Sequence, residues 1–264
     1  MSEMAPARSR PRTGMRGVLR PVAHSTYQKL FGTAYVGLMT NLLLAVAIAP
    51  LLTALAIVRD PLEAWPFFLA LSCLCAPALA GTFACFGQLD DESPEVLRPF
   101  WTTYRRTAAR AVAVWVAGAV AVSLLIVDSV VVARFSWGPA LIPFFITAGV
   151  LVINVVLAVI VLLVRLPPER TGRLRELARS CLFLVARRWY LAAANVAVLG
   201  LAVTVVLAKP VIGLLVASAP LLYVVWANTR YLVSPLVEES HEAKVADIAA
   251  DSRDGQDHAR VVGG

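Results

Sequence analysis

Six long runs of apolar residues constrain the fold of this chain more than any other feature of its sequence. They cover residues 35–58, 65–87, 111–133, 139–164, 190–208 and 211–233. A helix that crosses a bilayer needs roughly 20 mainly apolar residues, so each run is long enough to span one. Only 16% of the residues are charged, whereas soluble domains carry about a quarter. The sequence therefore predicts an all-α, polytopic membrane protein with six transmembrane helices arranged as three hairpins.

The positions of the lysines and arginines predict the orientation of these spans. Of the 24 Lys and Arg residues, 21 lie on one side of the predicted spans, counting Arg230 in the last turn of the sixth. The other side carries only Arg59, Arg134 and Lys209. The positive-inside rule then places both termini in the cytoplasm, and we expect a multi-pass protein of the bacterial inner membrane. The last two runs must break at Lys209–Pro210, because one helix over both would reach roughly 66 Å.

The chain divides into three predicted parts. Residues 1–32 form a basic, partly disordered cytoplasmic arm, residues 33–235 form the transmembrane domain, and residues 236–264 form a disordered acidic tail. The net charge of +7 lies mainly in segments that flank the spans. Membrane topology and anionic lipid headgroups explain this charge, so we expect no nucleic-acid partner.

Two segments between spans are predicted to be amphipathic cytoplasmic helices, over about 94–110 and 173–188. Each has apolar residues on one helical face and ends in a pair of arginines. Three roles stay open for the apolar faces: insertion into the membrane interface, packing against the protein's own bundle, or docking of a partner protein. The expected contact residues are Phe100, Trp101, Tyr104, Arg105, Arg106, Arg187 and Arg188.

A span that ends in "APALAGTFACFGQLDD" and is followed by "PEVLRPFWTTYRRTAARA" resembles the YesL-like family of bacterial membrane proteins. The matching positions are Pro77, Ala78, Phe100, Trp101, Tyr104, Arg105 and Arg106. The "RRW" at Arg187–Trp189 is similar to a second arginine-rich connector of that family. The acidic tail departs from the family's pattern. Family members are considered alongside bacterial carbohydrate importers, so the resemblance implies a role near sugar uptake.

The sequence contains no recognisable catalytic constellation. The three histidines, His24, His241 and His258, have no carboxylate or cysteine at ligand spacing, and no glycine-rich phosphate loop occurs. We therefore expect no enzyme activity, no metal and no cofactor.

Polar residues inside the predicted spans form the other candidate site. Asn41, Asn195 and Asn228 each lie about six residues from the predicted cytoplasmic end of a span, which places them in one layer roughly 9 Å deep. Such amides either join helices by hydrogen bonds or line a polar pocket. Asp128 is the one acidic residue within a span, with either a structural role or one in proton coupling or substrate contact.

Two functions fit these features. The first is a non-enzymatic accessory or interaction protein whose cytoplasmic helices contact the lipid bilayer or a membrane transporter subunit. The second is a small-solute transporter or permease-like protein. An oligomer is compatible with both.

Overall fold

The computed structural model describes residues 22–58, 60, 63–89, 95–166, 174–209 and 213–238. This part of the chain is helical almost throughout and contains no strand, as the sequence predicts. In chain order the helices are α1 (Val22–Ala47), α2 (Ala49–Ile57), α3 (Trp65–Ser72), α4 (Cys75–Phe86), α5 (Leu97–Val132), α6 (Ile142–Arg165), α7 (Leu174–Arg187), α8 (Trp189–Ala208) and α9 (218–238). A 3₁₀ turn at Gly138–Leu141 precedes α6, and a π-helical turn at Gly213–Ala217 precedes α9.

Several of these helices are long and apolar enough to cross a membrane. Four single stretches qualify: Trp65–Phe86, Leu97–Val132, Gly138–Arg165 and Trp189–Ala208. A fifth consists of Ala34–Ala47 and Ala49–Ile57, which meet at an angle of 62°. These five coincide with the first five predicted spans. The described part of the sixth is α9 with its π-helical turn, which lies outside this set.

Prolines account for three of the breaks between helices. Pro50 lies at the start of α2, where the missing N–H interrupts the helix after Ala47 and permits the 62° bend. The turn at Cys73–Leu74 between α3 and α4 lies one helical turn before Pro77, whose ring crowds the carbonyl four residues earlier. α6 ends where Leu166 becomes extended, because the following residue is proline.

The described structure changes two predicted boundaries. The arm predicted over 1–32 is helical from Val22, where α1 begins. Residues 1–21 and nearly all of the predicted tail lie outside the described residues. The predicted helix over 94–110 is not separate from the following span, because α5 continues without a break for 36 residues. At 1.5 Å per residue this helix is about 54 Å long, well beyond the hydrocarbon thickness of a bilayer.

The core lies around α4 and the C-terminal half of α6. In α4, ten of the twelve residues are buried. In α6, the seven consecutive residues Leu157–Leu163 are all buried, so no face of the helix is exposed there. Neighbouring helices must therefore surround both segments, and α6 contacts α4, α5, α7 and α8. The second half of α5, by contrast, exposes large apolar side chains such as Leu124 and Val127, as a lipid-facing helix does.

One end of the bundle carries most of the described arginines, and we call it the basic end. There α4 and α6 end and α5 begins, and Arg98, Arg165 and Arg230 lie around a shared opening. α5 and α6 run antiparallel from this end, since Gly118 of α5 lies against Val156 of α6.

We predict that Gly118 is required for the close contact between α5 and α6. A Cβ at position 118 would collide with Val156 Cγ2. Gly118→Leu should therefore lower the free energy of unfolding by about 1–3 kcal/mol, measured by thermal unfolding in detergent. Ala117→Leu, on the exposed side of the same turn, is the control and should have little effect. Equal losses in the two variants, or no recovery when Val156→Ala is added to Gly118→Leu, would contradict this packing.

Candidate functional site

The predicted contact residues Phe100, Trp101 and Tyr104 pack within the bundle, which is one of the three roles left open for them. Phe100 is fully buried, and a Cβ at Gly81 would lie only 2.9 Å from its ring. Trp101 and Tyr104 are half-buried against the core, and their rings lie 5.3 Å apart. Farther along α5, Trp115 Nε1 donates a hydrogen bond of 3.1 Å to Ser72 Oγ of α3. This face of α5 therefore packs against the protein's own bundle.

The arginines that follow these aromatic residues point elsewhere. Arg105 and Arg106 are both exposed on α5. Of the second pair, Arg187 is exposed, whereas Arg188 is half-buried between α7 and α8. Arg188 Nη1 donates a hydrogen bond of 3.3 Å to the carbonyl of Tyr231, and its guanidinium lies 4.5 Å from the centre of the Tyr231 ring. Arg188 thus holds the start of α8 against α9, which is a structural role.

The helix α7 is amphipathic as predicted, and its apolar face also packs on the bundle. Cys181 and Val185 are buried, and Leu177 packs against the same core. Four residues on the opposite face are exposed at four-residue spacing: Arg175, Arg179, Phe183 and Arg187. We call this set the α7 stripe. Residues 181 and 183 lie about 200° apart on a helix, so the α7 stripe faces directly away from the core.

A buried polar network joins three helices, and it includes one of the predicted asparagines. Asn154 Nδ2 of α6 donates to the carbonyls of Val150 at 2.9 Å and of Ala192 at 3.0 Å. These two carbonyls use both hydrogens of the Asn154 amide and fix its orientation. Its Oδ1 is then placed to accept a hydrogen bond from α8. Asn195 Nδ2 of α8 donates to Asn154 Oδ1 and to Thr229 Oγ1 of α9, both at 3.1 Å. Asn195 Oδ1 is buried with no donor among the described residues.

Of the other predicted residues, Asn228 and Asp128 make no hydrogen bond to this network within the described part of the chain. Asn228 is half-buried and adjoins Thr229 in sequence, and Asn41 is buried on α1. Asp128 is exposed near the end of α5 that lies away from the basic end. It is 30 residues from Arg98, or about 45 Å along the helix. Asn195 is thus the predicted residue that belongs to the network, and its partners Asn154 and Thr229 were not predicted to bond it.

A crevice of about 580 Å³ opens at the basic end, and sequence reasoning missed it. Its walls are the end of α4, the start of α5, the last residues of α6 and the middle of α9. Arg98, Arg165 and Arg230 line it, together with Gln88, Glu95 and Trp226. A second opening of about 390 Å³ shares Arg165, Trp226 and Arg230 and extends along α9 to Glu238. We call the two together the arginine crevice.

Trp226 and Arg230 give the crevice a defined floor. Trp226 is buried, and the guanidinium of Arg230 lies 5.2 Å from the centre of its ring. Phe86 and Tyr223 pack around the same indole, with ring centres 6.1 Å and 5.6 Å away. An arginine stacked on an aromatic ring is held in place while its N–H groups remain available to a ligand.

Metal chemistry has no candidate site in the described part of the chain. No three His, Cys, Asp or Glu side chains there lie close enough together to hold a metal ion. His241 and His258 lie outside the described residues, as does the side chain of His24.

Comparisons with known proteins identify no relative of this chain. A scan against family models found no match, and searches of curated proteins and of solved structures found none either.

We predict that Asn195, and not Asn228, stabilises the bundle. Asn195→Leu removes two interhelical hydrogen bonds and leaves Asn154 Oδ1 without its donor. It should cost about 1–2 kcal/mol of stability, seen as a lower unfolding temperature in detergent. Asn228→Leu is the matched control and should stay within about 0.5 kcal/mol of the wild type. A larger loss of stability in Asn228→Leu than in Asn195→Leu would contradict the stabilising role of this network.

We also predict that the Cys181 thiol is unreactive in the folded protein. Burial raises its pKa from the ordinary 9.0 to about 12. At pH 8 only about one thiol in ten thousand would be ionised, and the thiolate is the reactive form. Iodoacetamide at pH 8, read by peptide mass spectrometry, should modify Cys181 only after denaturation. Ser180→Cys, which places a thiol on the exposed neighbouring position, should be modified in the native state. Rapid native labelling of Cys181 would mean that α7 is not packed on the bundle.

Proposed function

We propose that this protein is a non-enzymatic accessory or interaction protein of the bacterial inner membrane, with six spans and both termini in the cytoplasm. The separation of charge along the bundle supports this orientation. Nearly all of the described arginines gather at the basic end, whereas Arg134 and Lys209 are the described basic residues of the opposite end. By the positive-inside rule, the basic end faces the cytoplasm.

The α7 stripe is the observation that carries the proposal of docking. α7 is fixed to the bundle through Cys181 and Val185, so its outer face is presented without loss of internal packing. Phe183 is 69% exposed between Arg179 and Arg187. An exposed aromatic residue flanked by arginines is typical of an interaction hot spot. Because three of its four residues are arginines, the expected occupant is an acidic cytoplasmic segment of a membrane transporter subunit.

The link to carbohydrate uptake rests on the resemblance to the YesL-like family. The segment "PALAGTFAC", which is part of that resemblance, packs against the aromatic residues of α5. Its small residues let α5 approach closely, so the motif has a structural explanation as well. We therefore propose the docking role from the α7 stripe and take only the kind of partner from the resemblance.

Affinity purification from native membranes in mild detergent tests this function. We expect a transporter subunit with an acidic cytoplasmic segment to copurify with the wild type and to be lost with Arg179→Glu/Arg187→Glu. The pair Arg105→Glu/Arg106→Glu makes the same change of charge on α5, so it should keep the partner. Quantitative mass spectrometry measures both. Absence of any transporter subunit, or equal loss in both variants, would contradict docking through the α7 stripe.

The arginine crevice favours transport of a small solute as a second candidate function. A cavity of about 580 Å³ has the size of typical small-molecule sites. Uptake of labelled mono- and disaccharides into vesicles containing the purified protein tests this alternative. A saccharide flux that Arg165→Gln abolishes would favour the transporter over the accessory protein. An absence of flux would favour the accessory protein.

A further inference from the structure

The arginine crevice carries more positive charge than its own residues neutralise. Three arginines line the two openings, against two carboxylates among the described lining residues, Glu95 in the larger opening and Glu238 in the smaller. No ion pair within the described part of the chain involves Arg98, Arg165 or Arg230. Partial burial, and after it the like charge of Arg230, lower the pKa of Arg165, so the two guanidiniums are near enough to repel each other. An anion placed between the two guanidiniums would replace this repulsion with two attractive contacts.

The donors in the crevice suit a phosphate group. A guanidinium presents its N–H groups as a fork that matches two oxygens of one phosphate, and two guanidiniums from different helices can clasp it. Arg165 ends α6 and Arg230 lies on α9, so the pair approaches from two sides. The Gln88 amide adds an uncharged donor, and the stacking of Arg230 on Trp226 limits its freedom.

The position and the walls of the crevice favour an ester over a free inorganic ion. Arg165 is the last residue of an apolar stretch that is long enough to span a membrane, so the crevice lies at the depth of lipid headgroups. Phe83, Val164 and Trp226 supply apolar surface next to the arginines. This surface can cover the organic part of a phosphate ester while the arginines bind its oxygens.

We propose that the arginine crevice binds a phosphate ester, with Arg165 and Arg230 contacting the phosphate and Arg98 closing the third side. Two sources supply this chemistry: the headgroup of an anionic lipid that enters from the membrane, and a soluble phosphate ester from the adjoining aqueous phase. This site shares no residue with the α7 stripe, so the proposal of phosphate binding can be tested independently of partner docking.

Binding to the purified, delipidated full-length protein tests the proposal with three probes. These are short-chain phosphatidylglycerol, short-chain phosphatidylcholine and glycerol 3-phosphate, each followed by native mass spectrometry. The test variant is Arg165→Gln/Arg230→Gln. The control Arg105→Gln/Arg106→Gln removes the same charge from exposed positions on α5. Arg98→Gln alters the third arginine on a different helix, and size-exclusion profiles check that each variant is folded.

We expect phosphatidylglycerol or glycerol 3-phosphate to bind the wild type, and the test variant to weaken that binding at least about tenfold. The control should retain the wild-type affinity, and Arg98→Gln should weaken binding in the same direction. Binding of phosphatidylglycerol alone identifies a lipid headgroup as the source, and binding of glycerol 3-phosphate identifies a soluble ester. The proposal is overturned if neither anionic probe binds, if phosphatidylcholine binds as tightly, or if the control loses as much affinity as the test variant.

Discussion

The contact between Phe100 and Gly81 is the constraint on which the rest of this structure depends. Only a residue without a Cβ leaves room for the ring at that place, and the ring fixes α5 against α4. Trp115 repeats the attachment farther along through its hydrogen bond to Ser72. With its aromatic face used in this way, α5 leaves Arg105 and Arg106 on its exposed side. The end of α4 and the start of α5 then form two walls of the arginine crevice.

The second half of the bundle depends on the satisfaction of buried polar groups. α6 is enclosed on all sides over Leu157–Leu163, and one turn earlier Asn154 bonds the backbone of α8. In a dry environment these bonds have no water to replace them, so they fix how α6, α8 and α9 meet. Through Thr229 the same network fixes the part of α9 that carries Arg230. The floor of the crevice is thus positioned by the asparagines, although none of them lines it.

Periodicity and length predict the parts of this fold that arise from single helices. The apolar runs gave the helices, the break after Ala208 and the amphipathic character of α7, because these properties are local. The sequence pattern does not show that α5 is one helix. An amphipathic segment that ends at Arg105 and Arg106 is expected both for a helix packed on the bundle and for a helix lying on the membrane surface. The crevice was missed because Arg98, Arg165 and Arg230 are distant in sequence, and arginines that flank spans are already explained by topology. The role of Asn154 was not predicted, because its partner Asn195 lies on another helix.

The central claim is that the arginine-bearing segment before Ala111 belongs to one long helix of the bundle. A distance between spin labels at Leu97→Cys and Asp128→Cys tests it most directly, in a background with the four native cysteines replaced by alanine. Both positions are exposed. A continuous helix places them about 46 Å apart, since 31 residues rise 1.5 Å each. A helix that turned at Ala111 to lie along the membrane surface would bring them to about 33 Å. A distribution centred near the longer distance is the result we predict, and one centred near the shorter distance would contradict the packing of Phe100 on Gly81 and the crevice built from it.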